Sequence, residues 1–124
     1  MNDVSQVREF DDVLMGRIRA VVRSGDEIYT LTSKRPNRIV AIDRAGIRVE
    51  TLRTDDRGSG PQLVPAWMVI AAWEHLCRNG RLSQNELLHD LNVKRSAFVC
   101  ALLSRFRDVD VSATQPTVLE LFRD

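Results

Sequence analysis

Two groups of basic residues stand out in the sequence because the stretches that contain them hold no acidic residue. Residues 91–107 contain four cations and residues 30–40 contain three, with no aspartate or glutamate in either stretch. The whole chain has a formal net charge of only +1, so attraction to a polyanion must come from such local groups. Lysine and arginine at this density are suited to binding phosphate. The cations are Lys94, Arg95, Arg105 and Arg107 in the first group and Lys34, Arg35 and Arg38 in the second.

Motifs for catalysis are not found in the sequence. A restriction-type nuclease needs an acidic residue two positions before a lysine, but Thr32 precedes Lys34 and Asn92 precedes Lys94. The Gly-Ser-Gly stretch at residues 58–60 is followed by neither a lysine nor an immediate helix start, so it does not match a phosphate-binding loop. The paired acids have no spacing that brings two carboxylates to one cleft. We therefore predict that the protein is not an enzyme.

A metal site is also not predicted. His75 and Cys77 are two positions apart, and on one helix their side chains would point about 200° away from each other. Adding His89 and Cys100 completes four ligands, but the spacing matches no usual zinc pattern. Both cysteines lie in apolar surroundings and are expected to remain reduced. We predict no metal and no cofactor.

The composition is that of one ordinary globular protein. In 124 residues, 44% are hydrophobic and 28% are charged, which excludes a disordered chain and a disulfide scaffold. The N-terminus lacks the basic start and apolar stretch of a signal peptide, and no apolar run is long enough to span a bilayer. We expect a cytoplasmic protein without membrane contact.

The N-terminal half is predicted to combine one helix with a small sheet. Apolar residues repeat at helical spacing over residues 10–23, interrupted only by Arg17. Over residues 27–53 the apolar period changes to two, which favours a three-stranded antiparallel meander. Its connections are predicted at residues 34–37 and 43–46.

The clearest change of composition falls at residues 54–63, where charge, glycine and proline replace apolar periodicity. We predict two modules that meet there. Residues 1–62 form the helix and meander, and residues 63–124 form a mainly helical module.

Helix start and stop signals in the sequence divide the second module into secondary-structure elements. A helix is predicted from Pro65 to a left-handed stop at Gly80. Ser83 and Glu86 match a capping box, which starts a second, short helix. Asn92 lies where the chain must turn sharply, and asparagine tolerates the left-handed conformation. The remaining predicted elements are a link at residues 81–82, a third helix at 94–106 and strands at 108–111 and 117–121.

In this order, the elements of residues 65–122 resemble a winged helix-turn-helix. Residues 91–98 resemble the turn and the start of the recognition helix of that superfamily, with Leu91 and Val93 as buried turn positions. The resemblance implies that the third helix points its N-terminal end into the DNA major groove, while the wing and helix ends touch phosphates. The residues implied at the groove are Lys94, Arg95 and Ser96, with Arg105 and Arg107 nearer the wing.

Two features depart from that pattern. The third helix is apolar almost all round, which is typical of a helix buried on more than one side. The wing tip, residues 112–115, carries no cation. The apolar face is therefore expected to be covered by the N-terminal half, by a second copy of the chain or by another protein. A second DNA contact is expected at Lys34, Arg35, Asn37 and Arg38. The alternative is that these residues only protect a solvent-exposed sheet edge from aggregation.

We predict a small α+β protein that is not an enzyme, forms a homodimer and binds double-stranded DNA. Strands followed by a helix-turn-helix are similar to accessory modules of bacterial restriction-type systems. The predicted role is a transcriptional regulator or the DNA-reading accessory of a bacterial or phage defence or mobile-element system. The alternative is an adaptor or inhibitor that docks another protein through the apolar third helix. The DNA hypothesis requires Lys94 and Arg95 to project into solvent, with Arg95 contacting a guanine edge.

Overall fold

Residues 8–51 and 60–122, which the computed structural model describes, form an α+β structure with two antiparallel sheets. The helices are α1 (Asp12–Val21), α2 (Ala66–Asn79) and α3 (Ser96–Leu103), and a π-helical segment covers Glu86–Asp90. The strands of the first sheet are β1 (Glu27–Tyr29), β2 (Pro36–Asp43), β3 (Gly46–Glu50) and β4 (Gln62–Pro65). The strands of the second sheet are β5 (Arg81–Ser83), β6 (Val109–Thr114) and β7 (Thr117–Leu121).

Helix α1 begins at Asp11, whose side chain accepts a hydrogen bond from the backbone N–H of Leu14 at 2.8 Å. Such N-caps satisfy a backbone donor that has no partner within the helix. Leu14, Met15 and Ile18 bury one face of the helix. The helix predicted over residues 10–23 is confirmed, and it is two residues shorter at each end.

The first sheet has four strands in the order β1-β2-β3-β4, where three were predicted. Strand β4 pairs with β3, with Val49 opposite Gln62 and Gly46 opposite Pro65. Gly46 has a φ of 151°, and a Cβ atom there would lie 2.2 Å from the carbonyl oxygen of Val64. Only glycine admits this close approach. The predicted antiparallel meander is confirmed as β1, β2 and β3, and the fourth strand was missed because four residues ending in proline give no recognisable strand pattern.

The predicted boundary between the modules lies partly outside the described residues, since the structure describes residues 60–63 but not 54–59. The division into residues 1–62 and 63–124 stays a prediction. Strand β4 lies across the predicted border between residues 62 and 63, and it pairs with β3 of the first module.

Helix α2, with 14 residues, ends at Gly80, whose φ of 76° is left-handed as predicted. Within the described ranges, no helix is long and apolar enough to cross a membrane. The capping box is also confirmed, because the backbone N–H of Ser83 donates to Glu86 Oε1 at 2.9 Å and that of Glu86 donates to Ser83 Oγ at 3.1 Å. The predicted short helix is π-helical, since the N–H of Leu91 donates to the carbonyl of Glu86 at 3.1 Å.

The second sheet has the order β5-β7-β6. The predicted ribbon is confirmed as β6 and β7, which pair from Val109 opposite Leu121 to Thr114 opposite Thr117. The predicted link at residues 81–82 is instead part of β5, which pairs with β7. Three residues are too few for an alternating pattern to indicate a strand.

Helix α3 lies at the centre of the molecule. It has eight residues, and all of them except Ala97 are buried. The helix is shorter than the predicted 94–106. Its apolar side chains belong to one hydrophobic cluster that also contains Ile18 of α1 and Ile39 of β2. The N-terminal and C-terminal parts of the chain therefore share a core.

Candidate functional site

A cleft of about 800 Å³ opens between the β1–β2 connection and the N-terminal end of α3. Lys94 and Arg95 line it from the first basic group, and Arg35 lines it from the second. The two groups are almost sixty residues apart in the chain, since Arg35 and Lys94 lie at positions 35 and 94. The fold thus brings together cations that the sequence presents as two separate patches.

The β1–β2 connection is held by the buried side chain of Thr30. Its Oγ1 accepts a hydrogen bond from the backbone N–H of Arg35 at 2.9 Å and contacts Ser33 Oγ at 3.0 Å. Lys34 takes the left-handed conformation with a φ of 57°. This compact turn leaves the Arg35 side chain exposed at the cleft. The turn was predicted at residues 34–37, but Pro36 and the residue after it belong to β2 because they pair with β1.

On the other wall, Asn92 makes the predicted sharp turn with a φ of 55°. The following residue, Val93, is buried, and its N–H donates to the carbonyl of Leu87 at 3.0 Å. Lys94 is exposed, as the sequence hypothesis requires, whereas Ser96 is buried at the start of α3. A polar turn anchored by one apolar residue therefore places Lys94 on the rim of the cleft.

Arg95 does not project into solvent, so that part of the prediction was wrong. Its side chain is half-buried, and its guanidinium donates from Nη1 to Gln62 Oε1 at 3.1 Å and from Nη2 to Asn37 Oδ1 at 3.2 Å. Desolvation by burial lowers the pKa of Arg95 from its usual value, although arginine remains charged at neutral pH. This position of Arg95 could not be predicted from the sequence, because both partners are distant in the chain.

The partners of Arg95 are uncharged, and this decides the electrostatics of the cleft. None of the described residues that line it is acidic. Within the described ranges, Arg35, Lys94 and Arg95 form no salt bridge. A cation without a carboxylate partner in a partly desolvated site favours an incoming anion.

Carboxamide and apolar groups complete the lining. Asn37, Gln62 and Gln84 contribute carboxamides, and Leu88 and Phe98 contribute apolar surface. Sequence reasoning identified Asn37 but missed Gln62 and Gln84, because isolated glutamines have no pattern that separates them from other surface polar residues. Only their positions in the folded chain, beside Arg95 and Ser96, mark these two glutamines.

The other predicted DNA-binding residues lie outside the cleft. Arg38 forms an ion pair with Glu50 on the neighbouring strand β3, and Lys34 is exposed but does not line the cleft. Arg105 and Arg107 follow the opposite end of α3, where Arg105 Nη1 donates to the carbonyl of Val21 at 3.4 Å. The predicted set therefore divides into residues at the cleft and residues at two other places.

The apolar third helix is covered by the chain itself. Helix α3 packs against β1, and its residues Val99 and Leu103 are fully buried. The apolar face of this helix was expected to be covered by the N-terminal half, by a second copy or by another protein, and it is the N-terminal half that covers it. The described residues consequently leave α3 without the exposed apolar face that docking of another protein through this helix would need.

Cys100 behaves as the sequence predicts for a small hydrophobic residue. It is buried in α3, and desolvation raises the pKa of its thiol to about 12. Cys77 is half-buried.

The chain has no match among protein-family models, curated proteins or solved structures. The geometry of the cleft is therefore the basis on which a function can be argued.

Proposed function

We propose that the protein is a non-enzymatic DNA-binding protein that holds the phosphate backbone at this cleft. One observation carries the proposal: Arg35, Lys94 and Arg95 line a single cleft in which none of the described lining residues is acidic. A phosphate group there would meet three positive charges. Charge-assisted hydrogen bonds to phosphate are stronger than those between neutral groups.

The position of Arg95 favours a phosphate contact over a base contact. An arginine has five N–H donors in a rigid fork. The hydrogen bonds to Asn37 and Gln62 fix the plane of the guanidinium while leaving other donors for a ligand. A guanidinium held in this way is preorganised, so less side-chain entropy is lost on binding. The proposed role of Arg95 is therefore to position DNA rather than to identify a guanine.

The winged helix-turn-helix remains part of the proposal. Its support is the order of α2, the capped π-helical segment, α3 and the β6–β7 ribbon. In such a module the N-terminal end of α3 would approach the duplex, and Lys94 lies there. We propose a regulator of transcription or the DNA-reading accessory of a bacterial defence or mobile-element system.

Electrophoretic retardation on mixed-sequence duplex DNA over a salt series tests this function. We expect binding at low salt that weakens steeply as salt rises, because each neutralised phosphate contributes about −0.9 to the logarithmic slope. The double variant Arg35→Ala/Lys94→Ala should reduce the magnitude of that slope by about 2. Absence of binding at low salt would refute the proposal.

Arg19→Ala is the matched control, since Arg19 is exposed on α1 and does not line the cleft. It removes one positive charge from the chain, as the single variant Arg35→Ala does, and should leave the slope unchanged. Equal losses in Arg19→Ala and in Arg35→Ala would mean that net charge, not the cleft, governs binding.

The homodimer is also a proposal. Two copies would present two clefts to one duplex, as two-fold symmetric DNA-binding proteins do. Sedimentation equilibrium of the full chain should give twice its 14.1 kDa mass, and a mass equal to one chain would contradict the dimer.

A further inference from the structure

The cleft has the size of a small-ligand site. Its volume of about 800 Å³ lies within the roughly 300 to 1,000 Å³ of typical ligand pockets. Bases within a duplex are stacked and paired, so they cannot enter such a space, whereas an unpaired nucleotide can.

Two carboxamides of the cleft retain hydrogen-bonding groups. Among the described residues, the Gln62 side chain forms a hydrogen bond only with Arg95, through Oε1, so its Nε2 retains both donors. The Gln84 side chain forms a hydrogen bond only with Ser96, from Nε2 to Oγ at 3.5 Å, so its Oε1 retains acceptor capacity in the described part of the chain. A donor and an acceptor together match the mixed edge of a nucleobase.

Apolar surface is available beside these groups. Leu88 lines the cleft with 38% of its surface exposed, although leucine is usually buried. Pro36 lines the cleft as well. Nucleotides that are turned out of a helix are commonly held between aromatic or apolar side chains.

We propose that the cleft binds one unpaired nucleotide, with its phosphate at the three cations and its base edge at Gln62 and Gln84. The nucleotide is either free in solution or an unpaired residue of a DNA strand. The inference rests on the proposed DNA binding only for the second source, because a free nucleotide would use the same groups.

Calorimetric titration of the full chain with dAMP and, separately, with inorganic phosphate tests the base contact. We expect dAMP to bind at least about tenfold more tightly than inorganic phosphate, since only dAMP offers a base. Gln84→Ala should lower the affinity for dAMP by roughly fivefold without changing the affinity for inorganic phosphate. Lys94→Ala, at an exposed position, should weaken both. Equal affinities for dAMP and phosphate would overturn the proposal.

Gln62→Ala is a second variant in case Gln84→Ala fails to fold, because Gln62 is exposed. Thermal unfolding of each variant identifies loss of the fold, and Arg19→Ala is again the charge-matched control. Wild-type affinity for dAMP in both folded glutamine variants would overturn the assignment of the base edge.

Fluorescence anisotropy with a blunt duplex and with the same duplex carrying a single-stranded overhang distinguishes the two sources. Tight dAMP binding without an overhang preference supports a free nucleotide, and at least about tenfold tighter binding of the overhang supports a strand-borne one. If only the blunt duplex binds, the inference fails and the proposed function stands. If dAMP binds but no DNA does, the inference stands and the proposed function fails.

Discussion

Two arginines connect the N-terminal and C-terminal parts of the chain, and they differ in the charge of their partners. Arg17 on α1 donates from Nη1 to Asp108 Oδ1 at 2.9 Å. Arg95 at the start of α3 donates to the uncharged carboxamides of Asn37 and Gln62. A carboxylate of the chain therefore balances the charge of Arg17, whereas among the described residues only neutral groups accept hydrogen bonds from Arg95.

The surroundings reinforce this difference. The guanidinium of Arg17 lies 4.7 Å from the ring centroid of Trp73 and 5.8 Å from that of Phe106, within cation–π distance of both rings. Arg95 instead lines an open cleft with two further cations. The carboxylate of Asp108 makes Arg17 part of the structure, whereas the neutral partners of Arg95 leave that guanidinium suited to the proposed anion.

The largest expected effect is on DNA affinity in Arg95→Ala. Losing a charge-assisted contact should weaken binding by about tenfold to a hundredfold, which corresponds to about 1.5–3 kcal/mol. The loss should be equal for all duplex sequences, because a phosphate contact carries no sequence information. Retardation assays on several duplexes measure it, and a loss confined to certain sequences would favour a guanine contact instead.

A smaller effect on affinity is expected in Gln62→Glu, which gives Arg95 the carboxylate partner that Arg17 has. The new ion pair would balance the charge of Arg95 and lower the net charge of the cleft by one, and DNA affinity should fall by about tenfold. Because Gln62 is exposed, the fold should be retained. Urea unfolding measures the stability of the variant, and the retardation assay measures its DNA affinity. Unchanged DNA affinity in a folded variant would mean that the lack of a carboxylate beside Arg95 does not matter for binding.

Asp108→Asn makes the converse change by giving Arg17 a neutral partner. The Arg17 and Asp108 side chains are 37% and 30% exposed, so solvent screens part of the interaction. We expect a loss of about 1 kcal/mol in the free energy of unfolding, measured with urea, and no change in DNA affinity. A loss of DNA affinity as large as that of Arg95→Ala would remove the distinction between the two arginines.

The smallest effect concerns Glu86, whose capping box precedes the turn that carries Lys94. The backbone N–H of Ser83 donates to the carboxylate and lowers the pKa of Glu86 below its ordinary 4.5. A lowered folded-state pKa contributes stability above the unfolded value, and this contribution is lost as the pH falls through the folded value. At pH 6, Glu86→Ala should lose about 0.5 kcal/mol of unfolding free energy.

The difference between Glu86→Ala and the unchanged chain should shrink as the pH falls below 4.5. Glu120→Ala is the control, because Glu120 is exposed on β7 and has no hydrogen bond or ion pair from its side chain within the described ranges. A difference that grows on acidification would contradict the role assigned to the cap.

Elements whose signals are local were predicted correctly. The capping box of Ser83 and Glu86, the left-handed Gly80 and the turn at Asn92 depend on hydrogen bonds or steric limits within a few residues. The burial of α3 also followed from sequence, because a helix apolar on all sides has no face suited to water.

Elements that depend on distant partners were missed. Strands β4 and β5 have four and three residues, and each exists because another strand pairs with it. The position of Arg95 has the same origin, since its partners Gln62 and Asn37 are 33 and 58 residues away. Contacts over such separations leave no periodic signal in the sequence.

The sequence by itself determined the α+β class, the left-handed end of α2, the buried third helix and the presence of two stretches that contain basic but no acidic residues. Periodicity and capping express short-range sterics and hydrogen bonding, which a stretch of chain carries with it. Only the tertiary structure decided that Arg35, Lys94 and Arg95 share one cleft and that Arg17 does not belong to it. The charge of the group that faces an arginine is a property of the packed fold, because packing chooses which distant residue lies there.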